Sequence, residues 1–301
     1  SEYMMKWKKN LQTVFSEYGK VIFMFVFVSA GLVSVYLITL LVFPSKLRVS
    51  FLDVGQGDAI LIQTPRGKDM LIDGGPTNVI LSRLSDSMSY FDRDIDVVVA
   101  THPDADHVTG LIPVFEKYNV GAVVVSPSKG DTQVFSDLDS HINDEHAEVR
   151  IAQIGDVIDF HDGVIVSILH PDENYVVKKN DTNDSSVSVL VTYGEQSFLL
   201  TGDLPIPREN KLFSSGTLSK NITVYKAGHH GSKTSSGDQL LSYIRPEYSI
   251  ISAGKDNRYG HPHQETIERL QKYSKETIST IDRGTISFIT DGRMMEVETT
   301  R

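Results

Sequence analysis

Residues 101–110 (THPDADHVTG) place His102, Asp104, Asp106 and His107 within six positions. Imidazole and carboxylate are the side chains that hold divalent ions such as Zn²⁺ or Mn²⁺, and such ions activate water for hydrolysis. The chain has no cysteine, so any metal site must be built from His, Asp, Glu or Asn. A lone His-x-Asp in a loop reads as polar surface. Two histidines and two aspartates in one six-residue turn, with further His and Asp motifs downstream, read as a metal centre.

The flanking elements explain how these side chains converge. The apolar run 96–101 (DVVVAT) reads as a strand and 109–118 (TGLIPVFEKY) as a helix, so the four residues sit in a strand-to-helix turn above a sheet edge. Short β-rich runs precede it at 47–54, 59–64 and 69–73, broken by Gly55-Gln56-Gly57 and Pro65-Arg66-Gly67. More strand-like runs follow at 122–125, 149–154, 164–169, 187–193, 197–201, 222–227, 248–252 and 278–281. Helices are expected at 207–213, 238–244 and 264–273. A closing hairpin, 284–290 and 294–298, turns at Asp291-Gly292. Two β-rich halves, each finished by helices, suit an α/β sandwich of two sheets with helices outside. The polar stretch 172–186 reads as a loop.

The block at 102–107 resembles the His-x-His-x-Asp-His signature of the metallo-β-lactamase superfamily, with Asp104 in place of the second histidine. Around it stand FLDVGQGDAILI (51–62), LIDGG (71–75), NDSSVSVL (183–190), LLTGDL (199–204), YKAGHHGSKTSS (225–236) and YGHPH (259–263). This ordered set is similar to the C-terminal hydrolase domain of ComEC-type DNA-uptake proteins of competent bacteria, over essentially residues 47–301. The resemblance implies the αββα fold and two adjacent metal positions. It makes His102 and Asp104 ligands of the first, Asp106 and His107 ligands of the second, Asp203 the bridging carboxylate and His229 a further ligand of the second. It makes Asp73 a carboxylate that orients the ligands. His230 reads as packing or support.

The departures from the signature bear on the metal. Where many superfamily members have another histidine, the matching position here is Asn183, an oxygen ligand or the holder of a water; His141, His146, His161 and His170 fall in the interval without a matching context. With Asp104 also replacing histidine, the first position is oxygen-rich, which favours Mn²⁺ or Mg²⁺ over Zn²⁺; two divalent ions, Mn²⁺ foremost, are expected. Lys226, Ser232, Lys233 and His263 are candidates to hold a substrate phosphate. His261 is a candidate to contact substrate or protonate a leaving group. Asp53 and Asp58 read as structural, since turn formation accounts for their neighbouring glycines.

The N-terminal region breaks from the rest. Residues 21–43 carry no charge over a length that spans a bilayer, with Lys6, Lys8, Lys9 and Lys20 before them and Lys46 and Arg48 after. The expectation is a cytoplasmic basic flank (1–20), one transmembrane helix (21–43) and an extracytoplasmic hydrolase domain (47–301). The resemblance implies a DNA substrate and a channel part in the same or another chain. The net charge of −10 offers no general affinity for nucleic acid. The alternatives are hydrolysis of a different surface phosphodiester, or a non-catalytic DNA-binding module.

Overall fold

A computed structural model of the chain describes residues 2–42, 46–145, 147–172, 175–177, 182–214, 218 and 220–301. His146, Phe43 at the end of the expected span, and parts of the 172–186 loop lie outside the described residues. The chain divides into two compact units, Ser1–Ser45 and Lys46–Arg301. The first is one continuous helix, α1 (Glu2–Val42), so the basic flank is helical too. Its stretch Tyr18–Leu37 has a mean hydropathy of 2.1 and none of it is buried. Twenty residues at about 1.5 Å each reach roughly 30 Å, enough to cross a membrane.

The second unit opens with β1 (Leu47–Phe51), β2 (Ile60–Gln63), β3 (Asp69–Ile72), β4 (Asp94–Ala100), β5 (Asn119–Val125) and β6 (Glu148–Ile151). It continues with β7 (Val157–Asp159), β8 (Val164–His170), β9 (Ser188–Tyr193), β10 (Gln196–Leu200), β11 (Val224–Lys226), β12 (Tyr248–Ile251) and β13 (Glu276–Ser279), and closes with β14 (Ile286–Thr290) and β15 (Met295–Thr299). One sheet has the order β15-β14-β1-β2-β3-β4-β5-β6 and the other β13-β12-β11-β10-β9-β8-β7. Each sheet has an antiparallel portion and a parallel portion, the latter β3–β6 in one and β10–β13 in the other.

The central strands are near-continuous apolar runs whose successive side chains point to opposite faces, so each sheet buries both faces. Val49, Phe51, Ile62, Ile72, Val166, Val189, Phe198 and Phe288 fill the space between the sheets. Phe288 meets Phe51, Phe198 and Tyr248 edge-on. The outer face of the first sheet packs under α2 (Val79–Ser87), α3 (Ala105–Val108), α4 (Leu111–Lys117) and α5 (Gln133–Asp144) through Leu61, Leu84, Val98, Leu111 and Leu138. The second packs under α6 (Ile206–Ser214), α7 (Asp238–Ile244) and α8 (Gln264–Tyr273) through Leu199, Tyr225, Leu241 and Leu270. This is the αββα sandwich. The expected strand at 278–281 is instead the end of β13 running into a short helix, α9 (Thr280–Arg283), capped by Ser279. The expected helix at 109–118 is α4 (Leu111–Lys117), and a separate short helix, α3, precedes it across Gly110, which sits against Gly74.

Candidate metal centre

The carboxyl ends of the parallel strands meet at one edge of the sandwich, the usual ligand crevice of parallel sheets. Asp73 follows β3, His102 follows β4, Asp203 follows β10 and the pair His229-His230 follows β11. Gly57 (φ +113) lets this edge close: a Cβ there would meet the Asp106 carbonyl oxygen at 2.0 Å.

Asp203 is the hub. Its Oδ2 lies 3.3 Å from His107 Nε2, 3.5 Å from His230 Nε2, 3.7 Å from His229 Nε2 and 3.8 Å from His102 Nε2. On one side, Asp106 Oδ2 is 3.4 Å from His230 Nε2, and the His107 and His230 Nε2 atoms face each other at 3.2 Å. On the other, Asp104 Oδ2 is 3.7 Å from His102 Nε2. Asp73 accepts from Thr101 N (2.8 Å), Thr101 Oγ1 (2.7 Å) and His107 Nδ1 (2.7 Å), which fixes the ring so that Nε2 points inward.

Two of the sequence expectations change. The residue gathered with His107 and Asp203 into the tight, fully buried cluster is His230, with Asp58 as its fourth member. His229 is 27 % exposed along its side chain and approaches Asp203 from the other side. Both residues adopt left-handed backbone (φ 49° and 55°), which turns adjacent rings to 81° from one another. Gly231 continues the turn, since a Cβ there would stand 2.6 Å from Pro262. His230 Nδ1 donates to the Ser252 carbonyl (3.0 Å) and lies 3.4 Å from Asp58 Oδ1, while His229 Nδ1 has Asn183 Nδ2 and Thr234 Oγ1 at 3.4 Å each.

Lys226, expected to hold substrate, is completely buried; its ammonium pairs with Asp58 and stands 3.9 Å from Asp203 Oδ1. Asp58 is therefore part of the centre and not a turn residue alone. A lysine inside the apolar run ITVYKA was the available signal, because a buried ammonium requires a buried anion. Ser232 is also buried, and its hydroxyl meets Thr234 Oγ1 at 3.0 Å, which in turn lies 3.4 Å from His229 Nδ1. His263 Nδ1 accepts from Lys233 N (3.2 Å), and the Lys233 side chain stays exposed. His261 packs its ring 5.2 Å from that of His229, and burial with the neighbouring His229 pushes its pKa down to about 4.

The donor set fits divalent metal. Among the described residues, buried His102 Nε2 and Asp203 Oδ1 have no hydrogen-bond partner, and two imidazole nitrogens 3.2 Å apart require a proton or a cation between them. The electrostatics agree. Burial opposes charge on His107 and His230, yet Asp203 with Asp73, and Asp203 with Asp58, hold their pKa values well above the ordinary range. Burial likewise opposes ionised Asp58, but Lys226 and His230 bring its pKa down to about 2. Asp203 is held well below the carboxylate range against its burial by His230 and His107. Five carboxylates in this space, Asp58, Asp73, Asp104, Asp106 and Asp203, demand compensating positive charge.

A buried His/Asp centre at the crevice of an αββα sandwich defines a class of metal-dependent hydrolase. Residues 52–255 match the description of the metallo-beta-lactamase superfamily, and the chain belongs to it. It is 27 % identical over 283 residues to ComE operon protein 3 of Bacillus subtilis (87 % of this chain, 36 % of that protein). It is 32 % identical over 244 residues to Recombination protein 2 of Haemophilus influenzae (79 % and 28 %) and 28 % identical over 243 residues to competence protein ComA of Neisseria gonorrhoeae (80 % and 32 %). These relatives are ComEC-type competence proteins, and the chain spans about a third of their length. Among solved structures, CmlA, a diiron beta-hydroxylase from Streptomyces venezuelae, shares the fold at 14 % identity (TM-score 0.51; 78 % of this chain, 53 % of that one).

Proposed function

We propose that this chain is a membrane-tethered, metal-dependent phosphodiesterase that degrades DNA during its uptake. The observation that carries the hydrolytic reading is the single Asp203 oxygen ringed by four imidazole nitrogens at 3.3–3.8 Å, the arrangement of a carboxylate shared by two ions. DNA as substrate is supported by the competence proteins to which the chain is similar.

Asp106, His107, His230 and Asp203 would hold the second ion; His102, Asp104, His229 and Asp203 the first. The oxygen contributed by Asp104 favours Mn²⁺. Such ions, when bound, lower the pKa of water and neutralise charge on a phosphoryl oxygen. The chain's own groups do the positioning. Asp73 and the Ser252 carbonyl fix the His107 and His230 tautomers, and Asn183 steadies His229. Neutral His261 offers a hydrogen bond to substrate, and exposed Lys233 a charge for the next phosphate. Helix α1 supplies the tether, with its larger basic cluster inside and the hydrolase domain outside the cytoplasm. The channel part belongs to the same or another chain.

The test uses the full chain in detergent with single- and double-stranded DNA, RNA and small phosphodiesters, under Mn²⁺, Mg²⁺ and Zn²⁺. Mn²⁺-dependent DNA cleavage that Asp106→Ala and Asp203→Ala both abolish is the expected result. Turnover of small phosphodiesters without nucleic acid would move the substrate elsewhere. DNA binding without turnover would make the domain a binding module, and activity with Zn²⁺ alone would remove Mn²⁺.

A further inference from the structure

Beside the metal centre a groove of about 570 Å³ is walled on one side by Asp104 and Asp106 and on the other by Asn257, Arg258 and Tyr259. Its volume lies within the range of small-molecule sites. The second wall is a series of planar groups. His261, next to His229, has the Tyr259 ring nearly parallel to it, centroids 5.7 Å apart and planes 22° apart. The Arg258 guanidinium lies over Tyr259, 4.7 Å from the ring centroid, and donates to its hydroxyl at 2.5 Å. Asn257 braces the segment: its Oδ1 accepts from the backbone N–H of both Tyr259 and His261, and its Nδ2 donates to the Gly254 carbonyl.

None of this is needed to build the metal centre. Tyr259 leaves 45 % of its surface exposed and Arg258 is exposed on the groove, so both planar groups are open to a ligand there. Asp106 and Arg258 line the same groove, so the planar wall and the ligand wall face the same space. A planar, polarisable, cationic surface held rigid beside a phosphodiester-cleaving centre suits one occupant. An unpaired nucleobase stacks on aromatic rings and guanidinium planes, while the guanidinium charge meets the phosphate. A base within a duplex is already stacked and has no free face to offer.

We propose that Arg258 and Tyr259 form a stacking subsite for the nucleobase flanking the scissile phosphodiester, which selects single-stranded DNA without selecting its sequence. The inference rests on the phosphodiesterase reading. Its experiment compares two strands of equal length, an oligothymidylate and a fully abasic deoxyribose phosphate oligomer, cleaved by the full chain in detergent with Mn²⁺. For the wild type, kcat/KM is higher on the thymidylate. In Tyr259→Ala that ratio falls by about 5- to 150-fold, the range for one base–aromatic stack. Tyr259→Phe keeps the ratio within about 3-fold, and Arg258→Ala falls between, as its guanidinium contributes both plane and charge. A Tyr259→Ala ratio equal to that of the wild type, or an equal loss on both strands, overturns the subsite. Should the wild type cleave neither strand, the phosphodiesterase reading fails. Fluorescence anisotropy on the same two strands then decides the subsite, with tighter thymidylate binding that Tyr259→Ala removes supporting it and equal binding overturning it.

Discussion

On one side of Asp203, His107 and His230 are fully buried and each has its outer nitrogen held by a backbone or carboxylate oxygen, Asp73 for the first and Ser252 with nearby Asp58 for the second. On the other side, His102 is buried and its Nδ1 meets the Thr101 hydroxyl at 3.0 Å, His229 has an amide and a hydroxyl at 3.4 Å, and the Asp104 side chain is 40 % exposed. Outer oxygens that fix a histidine raise its basicity and add to metal affinity. The two histidines of the proposed second position are thus preorganised and buried, and the first position is more loosely held, while Asp104 and Asp106 both reach the groove. The difference predicts one ion held tightly as part of the structure and another that exchanges with solvent.

The largest effect should come from breaking that contrast at the adjacent histidines. Removing the Asp203 carboxylate takes a ligand from both positions. His230→Ala should cost the tight site more than the roughly 100-fold that outer partners contribute at most. His229→Ala should weaken only the loose site, by about 10-fold. Calorimetric titration of the full chain with Mn²⁺ in detergent reads both sites at once. Loss of the tight site in His229→Ala, with His230→Ala intact, would reverse the division of the pair.

The two sides should differ next in how far they are tied to the fold. Lys226→Met leaves Asp58 buried without its cation, a change that costs about 3–5 kcal/mol when one partner of a buried pair is removed. His229→Ala opens a half-exposed position and should cost less than about 1 kcal/mol. Denaturant unfolding of the metal-free proteins separates these values. Equal losses would mean that Lys226 and Asp58 are not the structural floor of the centre.

How much of this was legible in the sequence follows from how local each determinant is. The turn at 102–107 and helices α7 and α8 are readable, because ligand spacing and apolar period lie within a few adjacent residues, whereas Asp203 and Asp73 are marked only by their place in the motif series of the family the chain resembles. The division of His229 from His230 was not: it depends on two left-handed backbone angles set by close packing at Gly231. Lys226 was misjudged because β11 is only three residues long and gives no periodicity to mark its burial. The glycines of residues 55–57 account for a turn so well that Asp58 next to them reads as structural. Helix α5 also escaped; it buries only Leu138 and Ile142 on an otherwise polar surface.

Glu209 offers the subtlest way to sharpen the comparison, since it lies behind both histidines. Its buried carboxylate accepts from Ser236 N (2.8 Å), Gly237 N (2.9 Å) and the Tyr225 hydroxyl (3.2 Å). Ser236 Oγ in turn accepts from the N–H of Gly228, the residue that opens the His229-His230 turn. Burial pushes the Glu209 carboxyl up to about 7, although the N–H groups of Gly237 and Ser236 pull it down. The unfolded chain therefore releases this proton near pH 4.5 and the folded chain only near 7. Between those values the unfolded state binds fewer protons, so Glu209 lowers stability as pH rises, by up to about 3 kcal/mol once both states are ionised. Glu209→Gln does not titrate. Its stability relative to the wild type should climb by that amount from pH 4.5 to 7.5, measured by urea unfolding. A difference independent of pH would show that the three donors keep Glu209 ionised throughout. Because the brace precedes both rings, the ratio of the two Mn²⁺ affinities should stay fixed while the stability moves.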